Sequence, residues 1–401
     1  MPRLKHWRPG RRPFGARTAR RGVDRGLAKP VRRAVPNCSL FRLLGSASAA
    51  GFARAMGIAV VAAPLALVSH NSLADEGGSS FWNPGSFASL AATPLQPGLS
   101  LTSIYYHPSV SSGKDVARAQ RIRTGRYPAL LLSAVDENTD TTKSQGMVTP
   151  TYTFATPVLG GQANVSMTAV YSNNTTTLYE LFSNVVQGGP IASFSALNET
   201  TSDTVTAFGD LSPQVSLRWN AGVHNVMTYA TGNIPVGQYN PSNLANIGIG
   251  HGALDGGVGY TYFDKAGREF SAVAGLTYNF INPYTQYQNG IDFHLDWAAS
   301  QFLSKQLQIG VVGYTYNQVT CDSGSGNKVG CFESRVASVG AQLGYTIPMG
   351  GLEANVNLRG YQEFAAANRP EGWNIWLTFT LSPADSTSAA TLTRRRRPMS
   401  Q

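Results

Sequence analysis

Two carboxylates and an imidazole alternate with apolar residues in the stretch IDFHLDW, residues 291–297. Asp292, His294 and Asp296 are residue types that bind metals or transfer protons. Perfect alternation also indicates a β-strand with one polar and one apolar face. Because same-face residues of a strand lie about 6.6 Å apart, these side chains need partners on neighbouring strands. We place Glu269 on the same polar face. Three interpretations of these side chains are open: a polar network, a substrate-guiding cluster, or a metal or catalytic site.

Alternation of this kind recurs along the chain and predicts about twelve strands. Each segment has about ten residues or more, enough to cross a membrane as a tilted strand. The segment 128–135 is either a further strand or part of a long loop. The predicted strands are residues 98–107, 147–156, 162–172, 210–219, 223–232, 251–263, 268–280, 289–302, 306–320, 333–347, 352–366 and 372–382.

The predicted connections alternate between short and long. A β-sandwich gives no reason for every long loop to lie at one end, whereas an outer-membrane barrel has short periplasmic turns and long external loops. We therefore predict an all-β fold, a closed antiparallel transmembrane β-barrel of about 12 strands over residues 98–382. The connections 108–146 and 173–209 are long enough to fold inward and narrow the pore.

The basic charge is concentrated at the two ends of the chain. Of the 32 Lys and Arg residues, 14 lie in the first 54 positions and four in Arg394–Arg397, and the remaining chain holds more acids than bases. This distribution argues against a nucleic-acid partner, because no basic patch is left for a folded face. We expect residues 383–401 to form a disordered basic tail.

Export is predicted from the region before residue 75. An apolar run at 56–68 follows several arginines, is too short to span a bilayer as a helix, and precedes a small-residue cleavage site ending at Ala74. Residues 1–74 are therefore predicted to be a basic extension plus a signal peptide that is removed. The first 40 residues are Arg-rich and longer than a signal peptide requires. Either an incorrectly chosen upstream start codon or a functional basic arm explains them.

The cysteines fit export to an oxidising compartment. Cys38 lies in the region predicted to be removed, and Cys321 and Cys331 close a short polar loop. We predict a disulfide between these two, because a metal site needs more ligands.

Two aromatic segments are candidates for contact with a ligand. Residues 75–97 contain Phe81, Trp82 and Phe87 but lack a strand pattern. This segment either enters the periplasmic mouth or lumen as a plug, or packs against the base of the barrel. A second segment at 279–288 contains Phe280, Tyr284 and Tyr287, whose side chains form either an external aromatic gate or ordinary loop packing.

Several long stretches resemble one bacterial outer-membrane family, labelled as involved in the meta-pathway of phenol degradation. The resemblance implies a transporter-like barrel for small, apolar, often aromatic compounds, and it brings no catalytic residues. One departure concerns the end of the chain, because Phe379 is followed by a polar tail where barrels usually end on an aromatic residue that the insertion machinery reads. The matching stretches are EGGSSFWNPGSFASLAATPLQPGLSLTSIYYH (76–107), GGVGYTYFD (256–264), FSAVAGLTYNFINPYTQYQNGIDFHLDWAASQFLS (270–304) and NRPEGWNIWLTFTLSP (368–383).

These observations together predict a channel for passive uptake of small hydrophobic or aromatic compounds across the outer membrane. Its expected partners are outer-membrane lipid, the barrel-insertion machinery and the small ligand, with no cofactor, no metal and no nucleic acid. The alternatives are a general diffusion porin for hydrophilic solutes and an outer-membrane lipase-like enzyme. The sequence lacks the common hydrolase and phosphate-binding motifs, which favours a protein that is not an enzyme.

Overall fold

The computed structural model describes residues 80–124, 127–187, 193–328, 330–331 and 333–384. The predicted extension and signal peptide at 1–74 lie outside the described residues, as does nearly all of the predicted tail. In the described part of the chain, no helix is long and apolar enough to cross a membrane.

Twelve antiparallel strands close into a barrel, as the alternation predicts. Each strand pairs with its neighbours in sequence, and the first strand pairs with the last from Leu101 opposite Leu381 to Ser111 opposite Glu371. The barrel therefore has no free edge over this height, which is the condition that hydrocarbon imposes on a sheet. The strands are β1 Gly98–Thr124, β2 Tyr127–Thr153, β3 Gln162–Gln187, β4 Ser193–Ala221, β5 His224–Asn233, β6 Ala253–Phe263, β7 Arg268–Asn279, β8 Asp292–Phe302, β9 Leu307–Gln318, β10 Arg335–Pro348, β11 Leu352–Ala367 and β12 Glu371–Pro383.

The barrel wall is apolar outside and polar inside. In β12, Ile375 and Leu377 are exposed on the outer surface, whereas Asn374, which precedes Ile375 and points inward, is buried. In β8, Asp292, His294 and Asp296 are all buried, at 1%, 0% and 1% exposure. This arrangement is the reverse of a soluble protein and matches the wall of an outer-membrane barrel.

The connections 108–146 and 173–209 were predicted to fold inward as loops, and this prediction is wrong. β1 and β2 continue as a paired hairpin to Thr124 and Tyr127, and β3 and β4 continue in the same way. The segment 128–135 accordingly belongs to β2. The physical reason is that these strand ends mix Thr, Ser and Asn with short apolar runs such as ALLLSAV (129–135), so that period-two alternation is interrupted while the β-branched content that favours strands remains.

Threonine hydroxyls link these extended strands across the sheet. The hydroxyl oxygens of Thr141 and Thr176 lie 3.3 Å apart, and those of Thr175 and Thr204 lie 3.0 Å apart. Cross-strand pairs of this kind stabilise the pairing of the extended strands.

Short turns join the strands at the end of the barrel where β1 begins. The turn between β6 and β7 shows how they are built, because Asp264 Oδ1 accepts hydrogen bonds from the backbone N–H groups of Ala266 (2.9 Å) and Arg268 (3.0 Å). The Arg268 guanidinium also pairs with this carboxylate at 2.7 Å. These bonds, with the Arg268 amide as the largest contributor, lower the pKa of Asp264.

Long connections join β5 to β6, β7 to β8 and β9 to β10 at the opposite end. Cys321 and Cys331 form a disulfide in the last of these. The same connection pairs with its neighbour through a bridge between Gln288 and Ser323, and Gly290 N–H donates to the Asp322 carboxylate at 3.0 Å. These two connections, β7–β8 and β9–β10, are thus joined by hydrogen bonds. Together with the β5–β6 connection they are called the outer connections below.

Candidate functional site

Residues 80–97, called the luminal segment below, lie inside the barrel. Their backbone and side-chain atoms form hydrogen bonds with inward side chains from seven different strands, which can be reached together only from the interior. The partners are Gln162 on β3, Arg218 on β4, Thr261 on β6, Glu269 on β7, Asp296 on β8, Gln342 on β10 and Arg359 on β11.

A tight turn at Asn83–Ser86 presents backbone N–H groups to Asp296. The Ser86 N–H donates to the Asn83 carbonyl oxygen at 3.2 Å. Pro84 and Gly85 occupy the central positions, and Gly85 has a φ of 89°, as a type II turn requires. The two carboxylate oxygens of Asp296 accept the N–H groups of Gly85 (2.9 Å) and Phe87 (3.0 Å). Both oxygens of the buried Asp296 side chain therefore hold the backbone of the segment at this turn.

Glu269 anchors the next turn of the luminal segment. Its Oε1 accepts the Leu90 N–H at 3.0 Å, and its Oε2 accepts the Ser89 hydroxyl at 2.8 Å. The Ser89 hydroxyl also lies 2.7 Å from that of Ser300 on β8. The Glu269 carboxylate therefore holds the segment at a second turn. This turn lies nearer than the Asp296 turn to the end of the barrel where β1 begins.

Two inward arginines hold carbonyl groups of the segment. Arg359 Nη1 donates to the Gly85 carbonyl oxygen at 2.8 Å, and Arg218 Nη2 donates to that of Ala91 at 3.4 Å. The Arg359 guanidinium also lies 5.1 Å from the Trp376 ring centroid. Anchors of both charges thus fix the backbone of the segment from opposite parts of the wall.

Two rings converge over glycine on the inner wall. Tyr229 on β5 and His294 on β8 lie in one row of the sheet, and glycines occupy the positions between them on β6 and β7. A Cβ atom at Gly275 would lie 2.3 Å from the Tyr229 oxygen and 2.7 Å from the His294 ring. Glycine is therefore required here for His294 Nε2 to reach Asp255 Oδ2 on β6, at 2.9 Å.

Trp82 of the luminal segment stacks on this pair. Its ring lies 3.7 Å from that of His294, at an interplanar angle of 12°. Phe87 completes the aromatic contact, with its ring centroid 5.3 Å from that of Tyr229. Trp82 is only 6% exposed, so the luminal segment contributes apolar burial as well as hydrogen bonds.

The acidic and imidazole residues predicted from IDFHLDW share the interior but do not form one cluster. Asp292 accepts a hydrogen bond from Asn279 Nδ2 at 2.8 Å, beside the connection from β7 to β8. His294 pairs with Asp255, while Asp296 and Glu269 each bind a different part of the luminal segment. Sequence reasoning missed Asp255 and the segment's backbone as partners, although the turn signature NPGS was visible.

The remaining aromatic candidates lie apart from Trp82 and Phe87. Tyr284 is exposed in the connection from β7 to β8, with its ring centroid 5.6 Å from that of Tyr239. Tyr287 lies in the same connection, where its N–H donates to the Thr285 hydroxyl at 3.4 Å. Phe81 lines a cavity of about 430 Å³ between the luminal segment and the outer connections, called the outer cavity below.

Among the residues that the structure describes, the side chains that could bind a metal together lie on the surface and not in the interior. In the described part of the chain, the group whose ligand atoms lie within 4.8 Å of one another is Cys321, Cys331 and Glu333, on the exposed surface. The disulfide uses both sulfur atoms, which leaves one carboxylate and no thiolate there.

Replacing Gly85 by alanine is expected to loosen the luminal segment. The alanine would take a φ of 89° and place its Cβ 3.2 Å from the rings of Tyr314 and Tyr361. A strain of about 1 kcal/mol raises the released fraction of the segment roughly fivefold. Hydrogen exchange of the backbone amides of residues 80–97 would register this as faster exchange.

The matched control for this change is Gly222→Ala. Gly222 also has a positive φ, of 75°, but lies in the β4–β5 turn with open space around it. Equal exchange rates of these amides in the two variants would show that Gly85 has no specific role in holding the segment.

A closed twelve-stranded barrel with an apolar exterior and a chain segment held inside it has the architecture of outer-membrane barrels. The family model described as "Putative MetA-pathway of phenol degradation" matches residues 133–379, and the chain belongs to this family.

One solved structure supports the fold. The COG4313 outer membrane channel from Pseudomonas putida F1 is 10% identical, with a TM-score of 0.50, and the match covers 76% of this chain and all of that one. A Pseudomonas aeruginosa FadL homologue is also 10% identical, with a TM-score of 0.34, over 78% of this chain and 97% of that one. A comparison with curated proteins finds no match.

Proposed function

We propose that this protein is an outer-membrane channel for passive uptake of small hydrophobic or aromatic compounds, in which the luminal segment is a plug. The observation that carries the proposal is the interior position of residues 80–97, held by hydrogen bonds and stacked rings. Such contacts are individually weak enough to break and re-form, so the segment can yield locally while the barrel wall stays intact.

A route through the barrel follows from the positions of the aromatic side chains. Tyr284 and Tyr287 of the outer connections offer a first apolar contact, and Phe81 lines the outer cavity beneath. The compound then passes the luminal segment, where Trp82 and Phe87 form weak contacts with a ring. The lumen carboxylates Asp296 and Glu269 act by holding the plug and perform no bond chemistry.

The two alternative functions fit the interior less well. A general diffusion porin needs a wide water-filled lumen, whereas Trp82 and Phe87 pack against Tyr229 inside this barrel. A lipase-like enzyme needs a nucleophile next to a base, and the hydroxyl that approaches His294 is that of Tyr229, 3.4 Å from Nε2. The proposal includes export through the predicted signal peptide and insertion by the barrel-assembly machinery.

Uptake by cells at low substrate concentration tests the proposed function. A strain lacking this protein should take up labelled toluene and phenol more slowly than the same strain carrying the wild-type chain, with the difference disappearing at high concentration. A channel should matter most when the concentration gradient across the membrane is small.

Single-channel recording separates the proposal from the porin alternative. We expect low conductance with brief openings, because the luminal segment occupies the lumen. A wide and steady conductance, together with faster uptake of sugars than of toluene, would establish the porin instead.

A further inference from the structure

We propose that Trp82 occupies a binding site for flat aromatic hydrocarbons of one ring or two fused rings, and that such a compound enters the site by displacing the indole. The site, called the ring slot below, is bounded by His294, Tyr229 and Phe87. This inference rests on the proposed function and deepens it, because it places the transported ring at one position on the route and names the class of ring that fits there.

The main wall of the ring slot is the flat face of the His294 imidazole. The Trp82 ring lies 3.7 Å from it at an interplanar angle of 12°, so the two rings are stacked. Tyr229 and Phe87 border the slot, with ring centroids 6.1 Å and 5.7 Å from that of Trp82. A stacked contact requires a flat ring and no attachment to the chain, so a free aromatic compound can form it in place of the indole.

The imidazole wall is held by contacts that do not involve Trp82. His294 Nε2 lies 2.9 Å from Asp255 Oδ2, and the same oxygen accepts the Thr277 hydroxyl at 2.6 Å. These three residues come from β8, β6 and β7, which are paired at this height of the barrel. Trp82, by contrast, belongs to the luminal segment, whose contacts can break and re-form. Displacement of the indole therefore leaves the wall of the slot in place.

The indole nitrogen of Trp82 shows which ring the slot prefers. Trp82 is 6% exposed, and its Nε1 atom has no hydrogen-bond partner among the residues that the structure describes. The face of the imidazole supplies no acceptor, since the nitrogen lone pairs lie in the plane of that ring. A buried donor without a partner costs free energy, and a hydrocarbon ring of the same shape avoids that cost. The slot therefore favours a hydrocarbon over a ring that carries an N–H group.

The side chain that fills the ring slot sets its size. An indole consists of a six-membered and a five-membered ring fused in one plane, so indene is its hydrocarbon counterpart and toluene fills part of the same space. In the wild-type chain a compound has to compete with Trp82. Its apparent affinity is therefore reduced by the fraction of molecules in which the slot is free.

Protection of His294 in the variant Trp82→Ala tests the inference. Removing the indole opens the slot to diethyl pyrocarbonate, and saturating indene should slow the modification of His294 at least about tenfold. Octahydroindene has the same carbon skeleton but is not flat, so it should protect His294 little. His224, which is exposed on β5, is the internal control for the reagent, and peptide mass spectrometry measures both histidines. Equal protection by the two hydrocarbons would mean that the slot does not select flat rings.

Indole tests the preference for a hydrocarbon. Because its N–H group would be buried without a partner, half-maximal protection of His294 should require a free aqueous concentration roughly tenfold higher for indole than for indene. Protection by indole at the same or a lower concentration would mean that the slot offers an acceptor, and the stated preference would be wrong.

Fluorine NMR of the wild-type chain tests displacement without a substitution in the slot. With 5-fluorotryptophan incorporated, the Trp82 signal is the one that disappears in Trp82→Ala. Indene should move this signal to the position of a solvent-exposed fluoroindole, whereas the signal of Trp376, a buried residue of β12, should stay. A Trp82 signal that is unchanged up to the solubility limit of indene would contradict displacement.

The outcomes separate this inference from the proposed function. If cells take up toluene through the protein but indene neither protects His294 nor moves the Trp82 signal, the inference is wrong and the channel stands. If indene does both but toluene uptake is the same with and without the protein, the slot stands and the proposed function is wrong. Heat-modifiable gel migration checks that Trp82→Ala folds, and Trp373→Ala, on the outer surface, is its matched control.

Discussion

Asp296→Asn is expected to release the luminal segment and to raise the open fraction of the channel roughly 30-fold. The aspartate accepts two backbone N–H groups, whereas an asparagine offers one acceptor oxygen and turns its NH₂ group towards the other donor. A buried donor without a partner costs about 2 kcal/mol, which corresponds to that factor in an equilibrium constant. Single-channel recordings in planar bilayers measure the open fraction directly.

The matched control is Asp264→Asn. Asp264 also accepts two backbone N–H groups through its carboxylate, but in an exposed turn outside the lumen. The control should leave the open fraction unchanged. An Asp296→Asn channel that opens no more often than Asp264→Asn would mean that the carboxylate does not hold a plug.

Trp82→Ala is expected to expose His294 to solvent. The indole covers the imidazole at 3.7 Å, and removing a buried tryptophan side chain costs about 3 kcal/mol or more. We therefore expect modification of His294 by diethyl pyrocarbonate to accelerate by more than roughly tenfold, because a loss of this size shifts the segment towards its released state. Peptide mass spectrometry identifies which histidine has reacted.

Two controls accompany the Trp82 experiment. His224 is exposed in wild type and should react equally in both proteins. Trp373→Ala removes a tryptophan of similar size from the outer surface of β12 and should leave His294 protected. A His294 that stays unreactive after Trp82→Ala would mean that the luminal segment is not its cover.

The barrel was predictable because each of its strands separates two environments. In β8 and β12 an apolar outside and a polar interior enforce period two, and that pattern can be read from one strand at a time. The ends of β1 to β4 that extend beyond the predicted strands mix polar residues with short apolar runs such as ALLLSAV (129–135), so their sequences do not keep that period. Their strand character rests on Thr and Val content and on pairing between neighbours, which a single segment does not reveal.

The site was less predictable because its contacts join distant parts of the chain. IDFHLDW identifies Asp296 as an inward carboxylate, but the amides that it binds lie 211 and 209 residues earlier. No local pattern encodes that distance. The NPGS turn indicates only that N–H groups are presented to something, and Gly275 has meaning only once His294 and Tyr229 are in register.

The central claim is that release of the luminal segment opens the channel, and a reversible tether tests it most directly. The hydroxyls of Ser89 and Ser300 lie 2.7 Å apart, so cysteines at both positions can form a disulfide between segment and wall. We predict that the oxidised double variant Ser89→Cys, Ser300→Cys loses openings and toluene uptake, and that a reductant restores both, while wild type responds little to the same reductant. Equal conductance and uptake before and after reduction, with the disulfide verified by mass spectrometry, would contradict the account.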